Sequence, residues 1–270
     1  MNSFFRTIFF IWFLFSTNVG VAQLNEVHNN WLTFFDAYKV KGSSVIWDAQ
    51  TNKFHFYNRA AFTMPIVPAG TFDIMQVLVA LQLKNIADTH SVILWDGIKR
   101  AQPVWNTNTT IAQAFRNNNS AALTQLSNKV PHKYWKKQIR KAKYGKVLTE
   151  KLDGEFWNNG QFVISSAGQI DFLKRLNSNK LPFKNKYCQW AKKLMLIEED
   201  KNYKLYAKTG LQELPDKNVG WFIGFIEKPN GIFYFATTIE STLPVPESFS
   251  MSRVYITKKI LADLGIIVSK

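Results

Sequence analysis

Cysteine is nearly absent: Cys188 stands alone in 270 residues, so no internal disulfide can form and no cysteine-based zinc centre can be built. The four histidines, His28, His55, His90 and His132, stand at no spacing that metal ligands use, and no metal or cofactor motif is present. Beyond the N-terminal segment no apolar run approaches the length of a membrane span. Internal repeats, low-complexity linkers and nucleic-acid-binding motifs are missing too. Acidic residues are outnumbered, 19 against 34 basic ones, which leaves a formal charge of +15. Not one acid occurs between Lys129 and Lys146, where Lys133, Lys136, Lys137, Arg140, Lys141 and Lys143 join them. The plain reading of 129–146 is a solvated helical face, and attraction to an anionic envelope surface is the sharper one. Export and the missing motifs disfavour a nucleic-acid partner.

What is present begins with a leader. Arg6 is the only charge ahead of Ile8-Phe9-Phe10-Ile11-Trp12-Phe13-Leu14-Phe15, and Gly20-Val21-Ala22 offers small residues before Gln23. A run this short reads as a signal peptide over 1–22 and implies an exported, periplasmic protein, with an uncleaved membrane anchor as the alternative. Next, Leu24 to Lys41 predicts a helix with Trp31, Phe34, Phe35 and Tyr38 on one face. Ser44–Trp47 and Lys53–Tyr57 read as strands joined by a turn over Asp48–Asn52. The stretch from about Thr71 to Glu199 is mostly helical and carries the capping signature Ser166-x-x-Gln169. Strand patterns return at Lys204–Lys208, Gly220–Glu227 and Ile232–Ile239, and a last helix over Val254–Leu264 stops at Gly265. Strands at both ends around a helical middle imply an α/β (α+β) fold. It would be an antiparallel sheet flanked by helices, with a mainly helical lobe inserted over about 80–200. A single domain of two lobes then spans 23–270.

The helix opened by Val67-Pro68-Ala69-Gly70-Thr71-Phe72-Asp73 is apolar nearly all round, which places it in the centre of the molecule. Lys208-Thr209-Gly210, at a strand end, can offer a cation and a hydroxyl to a carboxylate, and glycine lets a ligand lie against the strand. Further short elements come in order. They are Pro68-Ala69-x-Thr71-Phe72, Trp95-Asp96-Gly97, Trp105-Asn106-x-x-x-Thr110-Ile111, Tyr144-Gly145, Phe156-Trp157, Ile164-Ser165, Gly220-Trp221-Phe222-Ile223-Gly224 and Arg253. As an ordered set, from about Phe54 to the C-terminal helix, they resemble the class D serine β-lactamases and, more broadly, the penicillin-recognising acyltransferases.

The resemblance implies a Ser-x-x-Lys pair at the head of the central helix, with serine as nucleophile and carboxylated lysine as general base. Gly70 and Asp73 occupy those positions here, and no Ser-x-x-Lys or Thr-x-x-Lys occurs anywhere in the chain. For the family's Ser-x-Val, ungapped counting lands on Asn118-Asn119-Ser120, and a two-residue shift would use Ser120 instead. Lys146 replaces the family's asparagine in Tyr144-Gly145-Lys146, and Leu211 stands where the family often has an aromatic. Lys208, Thr209, Gly210 and Arg253 match positions that hold the substrate carboxylate. The amides of Gly70 and Leu211 match the oxyanion hole, and Trp157 matches the tryptophan beside the carboxylated lysine. Each has a plain alternative: Gly70 as a helix N-cap, Arg253 as a surface cation, Trp157 as a core aromatic.

The resemblance therefore implies an exported class D β-lactamase homologue without its acylation machinery, retaining a cleft for β-lactams or peptidoglycan-like molecules. A residual hydrolase working through Asp73 and a periplasmic scaffold without a ligand are the other readings. No cofactor is implied, and the sequence is silent on oligomeric state. One electrostatic expectation follows from the charge reversal: Asp73 and Lys208, if they share a pocket, should form an ion pair.

Overall fold

The computed structural model describes residues 25–242 and 244–268; the leader over 1–22 lies outside the described residues. Among the described residues there are eleven strands: β1 (Asn25–Val27), β2 (Lys41–Asp48), β3 (Lys53–Tyr57), β4 (Val92–Ile93), β5 (Thr109–Thr110), β6 (Lys146–Val147), β7 (Phe162–Val163), β8 (Leu196–Glu199), β9 (Lys204–Glu213), β10 (Lys217–Lys228) and β11 (Gly231–Thr242). Seven of them form the main sheet in the order β1-β3-β2-β11-β10-β9-β8, while β4 pairs with β5 and β6 with β7. Every neighbour pair in the main sheet is antiparallel except β1 with β3, which is parallel.

The helices are α1 (Leu32–Asp36), α2 (Asp73–Gln82), α3 (Ile111–Arg116), α4 (Ser120–Asn128), α5 (His132–Lys141), α6 (Ser166–Asn177), α7 (Asn185–Met195) and α8 (Phe249–Asp263). Six of them, α2 to α7, lie between β3 and β8 in the chain; α6 and α7 pack on one face of the main sheet, and α1 and α8 pack on the other. Alternation along β9 and β10 divides their side chains between two cores. Tyr206, Trp221, Ile223 and Phe225 face α2, and Leu205, Ala207, Phe222 and Ile226 face α8. No described helix is long and apolar enough to cross a membrane.

α2 packs against α4 and α7, and nine of its ten residues are buried, which accounts for its all-round apolar sequence. In the basic stretch, α5 buries Trp135, Gln138 and Ile139 and leaves Lys133, Lys137, Arg140 and Lys141 exposed.

Two local expectations are corrected. The helix expected over Leu24–Lys41 is instead β1, a 3-10 turn over Asn29–Trp31 and the short α1. Its buried aromatics do share a face, but Asn25–Val27 gains ladder hydrogen bonds from β3, a partner that a helical pattern cannot reveal. The cap of α6 is Ser165, not Ser166: its side chain accepts from Gly168 N, and Gln169 turns inward to another partner.

Candidate functional site

A 3-10 turn over Ala69–Phe72 runs directly into α2 and carries Gly70, so Gly70 lies inside the turn rather than at its cap. The turn is held from several sides. The Ala69 amide donates to the Trp157 carbonyl at 3.3 Å while Ala69 adopts a left-handed φ of 51°. Trp221 Nε1 donates to the Val67 carbonyl at 2.8 Å. The Thr71 hydroxyl donates to the Pro68 carbonyl at 2.8 Å and accepts from Gln169 Nε2 at 2.8 Å. Thr71 is buried, and its oxygen is spoken for within the turn.

Strand β9 passes against this turn. A methyl group at Gly210 would lie 2.9 Å from the Pro68 oxygen and 3.1 Å from Thr71 N, so only glycine permits the approach. Seen from the other side, a Cβ at Gly70 would lie 3.0 Å from the Thr209 carbonyl oxygen. Strand β8 pairs only with Lys204–Tyr206, so beyond Tyr206 the β9 edge has no strand beside it among the described residues.

At the first residue of α2, Asp73 Oδ2 lies 2.7 Å from Lys208 Nζ, with side chains 6% and 3% exposed. The ammonium also donates to Asn118 Oδ1 at 2.5 Å and to the Phe115 carbonyl at 3.3 Å. An ammonium has three N–H groups. All three are used within the protein. Thr209 Oγ1 donates to the same Asn118 oxygen at 3.1 Å. Burial pushes the Asp73 carboxyl above its usual range, and the Lys208 ammonium pulls it back only in part.

Asn118 sits in the turn between α3 and α4 at a left-handed φ of 47°, a conformation asparagine tolerates. Ser120, the shifted-register alternative, opens α4 with an exposed side chain, so the structure places Asn118 against Lys208. Lys208, Thr209 and Asn118 line a cavity of about 420 Å³ together with Arg116, Leu196 and Val254.

Arg253 is a buried cation rather than a surface one. It is 6% exposed, and its Nε and Nη1 have no hydrogen-bond partner. Burial draws its guanidinium down to about 10. It reaches β10 at Gly220, where a Cβ would lie 3.1 Å from Arg253 Cδ, and Gly220 pairs with Leu211 of β9. The Leu211 side chain itself is exposed.

Trp157 lies in the core. Its ring stacks on Phe72 with centroids 5.2 Å apart and 8° between planes, and its carbonyl holds the turn through Ala69. Sequence reasoning missed the Phe115 carbonyl and Gln169. The first is a backbone atom, and the second resembled a capping residue, so neither left a usable signal.

This fold and this cleft define a class. Residues 35–263 match the penicillin binding protein transpeptidase domain, and the chain belongs to that family. Within it the similarity runs to the class D β-lactamases. The chain is 31% identical to β-lactamase OXA-20 of Pseudomonas aeruginosa, over 83% of this chain and 84% of the relative. A class D β-lactamase structure, YbXI from Nostoc, matches at 33% identity and TM-score 0.82, covering 89% of this chain and 100% of that one. The C-terminal domain of the Bacillus licheniformis BlaR penicillin-receptor matches at 25% identity and TM-score 0.85, covering 91% and 98%.

Proposed function

We propose that this protein is an exported penicillin-recognising relative of the class D β-lactamases that binds carboxylate-bearing β-lactam or peptidoglycan-type molecules without bonding to them. The observation that carries the reading is the centre itself, where Gly70 offers no nucleophile and Asp73 is locked to Lys208.

Acylation needs an oxygen or sulfur nucleophile at the head of α2 and a base to take its proton. Thr71 cannot stand in, because its hydroxyl is buried between Pro68 and Gln169. Asp73 could accept a proton only by leaving the ammonium that neutralises it. In a serine hydrolase, loss of either the nucleophile or its base costs about a million-fold in turnover. Here both positions have changed.

Recognition is supported by different residues. The buried Arg253, two of whose nitrogens lack partners, lies behind Gly220, the neighbour of Leu211 on β9, and its charge would attract a ligand carboxylate to that strand. Thr209 can rotate its hydroxyl from Asn118 toward the same ligand. Lys208 contributes less than its position implies, since its three donors are occupied. The penicillin receptor named among the similar structures supports binding as the retained activity.

A thermal titration with benzylpenicillin, alongside a chromogenic cephalosporin assay at high protein concentration, tests the proposal. A rise in Tm with no turnover above a mock preparation is expected. Turnover that disappears in Asp73→Asn would establish the hydrolase instead, and the absence of stabilisation by any β-lactam would leave a scaffold without a ligand.

A further inference from the structure

At the opposite edge of the main sheet, the parallel pairing of β1 with β3 sets Glu26 directly beside His55. His28 follows β1 and is anchored there by its amide, which donates to the Phe56 carbonyl at 2.8 Å. His28 Nε2 lies 3.0 Å from His55 Nδ1. Glu26 Oε2 lies 3.1 Å from His55 Nδ1 and 3.6 Å from His28 Nε2. Three ligand atoms thus converge, although the histidines are 27 residues apart and show no spacing in the sequence.

The triangle they form has a circumscribed radius of about 1.9 Å, just inside the ~2.0–2.2 Å bond lengths of zinc to imidazole nitrogen and carboxylate oxygen. An ion slightly above its plane therefore reaches all three atoms and keeps further positions for water. The His28 ring is fixed by stacking on Trp31, with centroids 4.2 Å apart and 5° between planes. Both imidazoles are mostly buried, at 18% and 13% side-chain exposure. The one competitor is Lys53, whose Nζ lies 2.6 Å from the same Glu26 oxygen and whose side chain is 32% exposed. It can swing into solvent when a stronger cation arrives.

We propose that Glu26, His28 and His55 form a site for a divalent transition-metal ion of the zinc class, which ties β1 to the sheet. Two imidazoles and one carboxylate suit such ions and disfavour magnesium, which prefers oxygen ligands. The site lies four strands away from β9 across the sheet, so it stands apart from the carboxylate cleft and does not depend on the reading given to that cleft.

The test uses the full chain stripped with a chelator and then titrated with zinc chloride, with cobalt chloride as a visible probe and magnesium chloride as the control. One equivalent of zinc is expected, with a Tm rise of about 5–10 °C at a hundred times its Kd. Cobalt should give d–d absorption that His55→Gln and His28→Gln each abolish. Lys53→Met keeps every ligand and removes the competing cation, so it should tighten zinc binding several-fold. Failure to take up zinc at millimolar concentration would overturn the proposal. So would uptake that survives the double histidine variant, or weaker binding in Lys53→Met.

Discussion

Lys208→Met removes the cation from a buried carboxylate and leaves the surrounding packing nearly unchanged in volume. At 2.7 Å and an effective dielectric constant of about 20, the attraction in the pair is about 6 kcal/mol before desolvation is counted. Removing one member of such a pair costs about 3–5 kcal/mol, because the other charge stays buried without compensation. Protonation of Asp73 limits that loss toward the lower end. Asp73→Asn should cost less, about 2 kcal/mol, since the ammonium retains Asn118 and the Phe115 carbonyl. In the double variant neither charge is stranded, so its loss should fall short of the sum by about 2–3 kcal/mol. For a domain of this size each kcal/mol moves Tm by about 2–4 °C, so a loss near 3 kcal/mol in Lys208→Met should lower Tm by about 6–12 °C. Urea unfolding of the four proteins reads the coupling directly. Losses that add to within about 0.5 kcal/mol would refute the pairing as an energetic unit.

Other substitutions test neighbouring parts of the site. Gly210→Ala forces a methyl against backbone atoms of the Pro68–Thr71 turn, and a loss of about 2–3 kcal/mol in urea unfolding is expected; an unchanged midpoint would mean that the strand and turn are not in contact. Arg253→Met replaces a buried, partly unpaired cation by an apolar chain, so stability should rise by about 1–3 kcal/mol while stabilisation by benzylpenicillin disappears. A destabilised Arg253→Met that still responds to the drug would contradict the role given to this residue. Burial holds Asp73 above the ordinary carboxylate value of 3.8, so the folded protein takes up this proton at a higher pH than the unfolded chain does. Within the window from 3.8 up to that raised value, acidification favours the folded state at this group and releases a Lys208 N–H toward ligand. Calorimetry should show benzylpenicillin binding that tightens as the pH falls through that raised value, and a dependence that Asp73→Asn leaves intact would count against it.

How far the sequence reaches depends on how local each cause is. Lys53–Tyr57 reads as a strand and forms one with those bounds, because alternation and the flanking turn are both contiguous signals. Lys204–Lys208 is only the first half of a longer strand, since the second half is shaped by close passage against the Pro68–Thr71 turn. The leading segment misleads because Trp31, Phe34, Phe35 and Tyr38 recur at helical intervals, while strand β1 depends on a partner that arrives later in the chain. The same limit hides the Glu26, His28 and His55 cluster, which only parallel pairing assembles. In the cleft, Gly70, Asp73 and Lys208 are legible as departures from, or matches to, a family pattern. The saturation of Lys208 is not, because one of its acceptors is a backbone carbonyl at the end of α3. Nor is the unpaired state of Arg253, which follows from how α8 lies across Gly220.

Intact-protein mass spectrometry after prolonged exposure to benzylpenicillin tests the central claim most directly, namely that this cleft holds its guest without a covalent bond. The mass should remain that of the unmodified chain, even at drug concentrations that raise its Tm. A stable increment equal to the drug, located by peptide mapping on any side chain of the cleft, would contradict it.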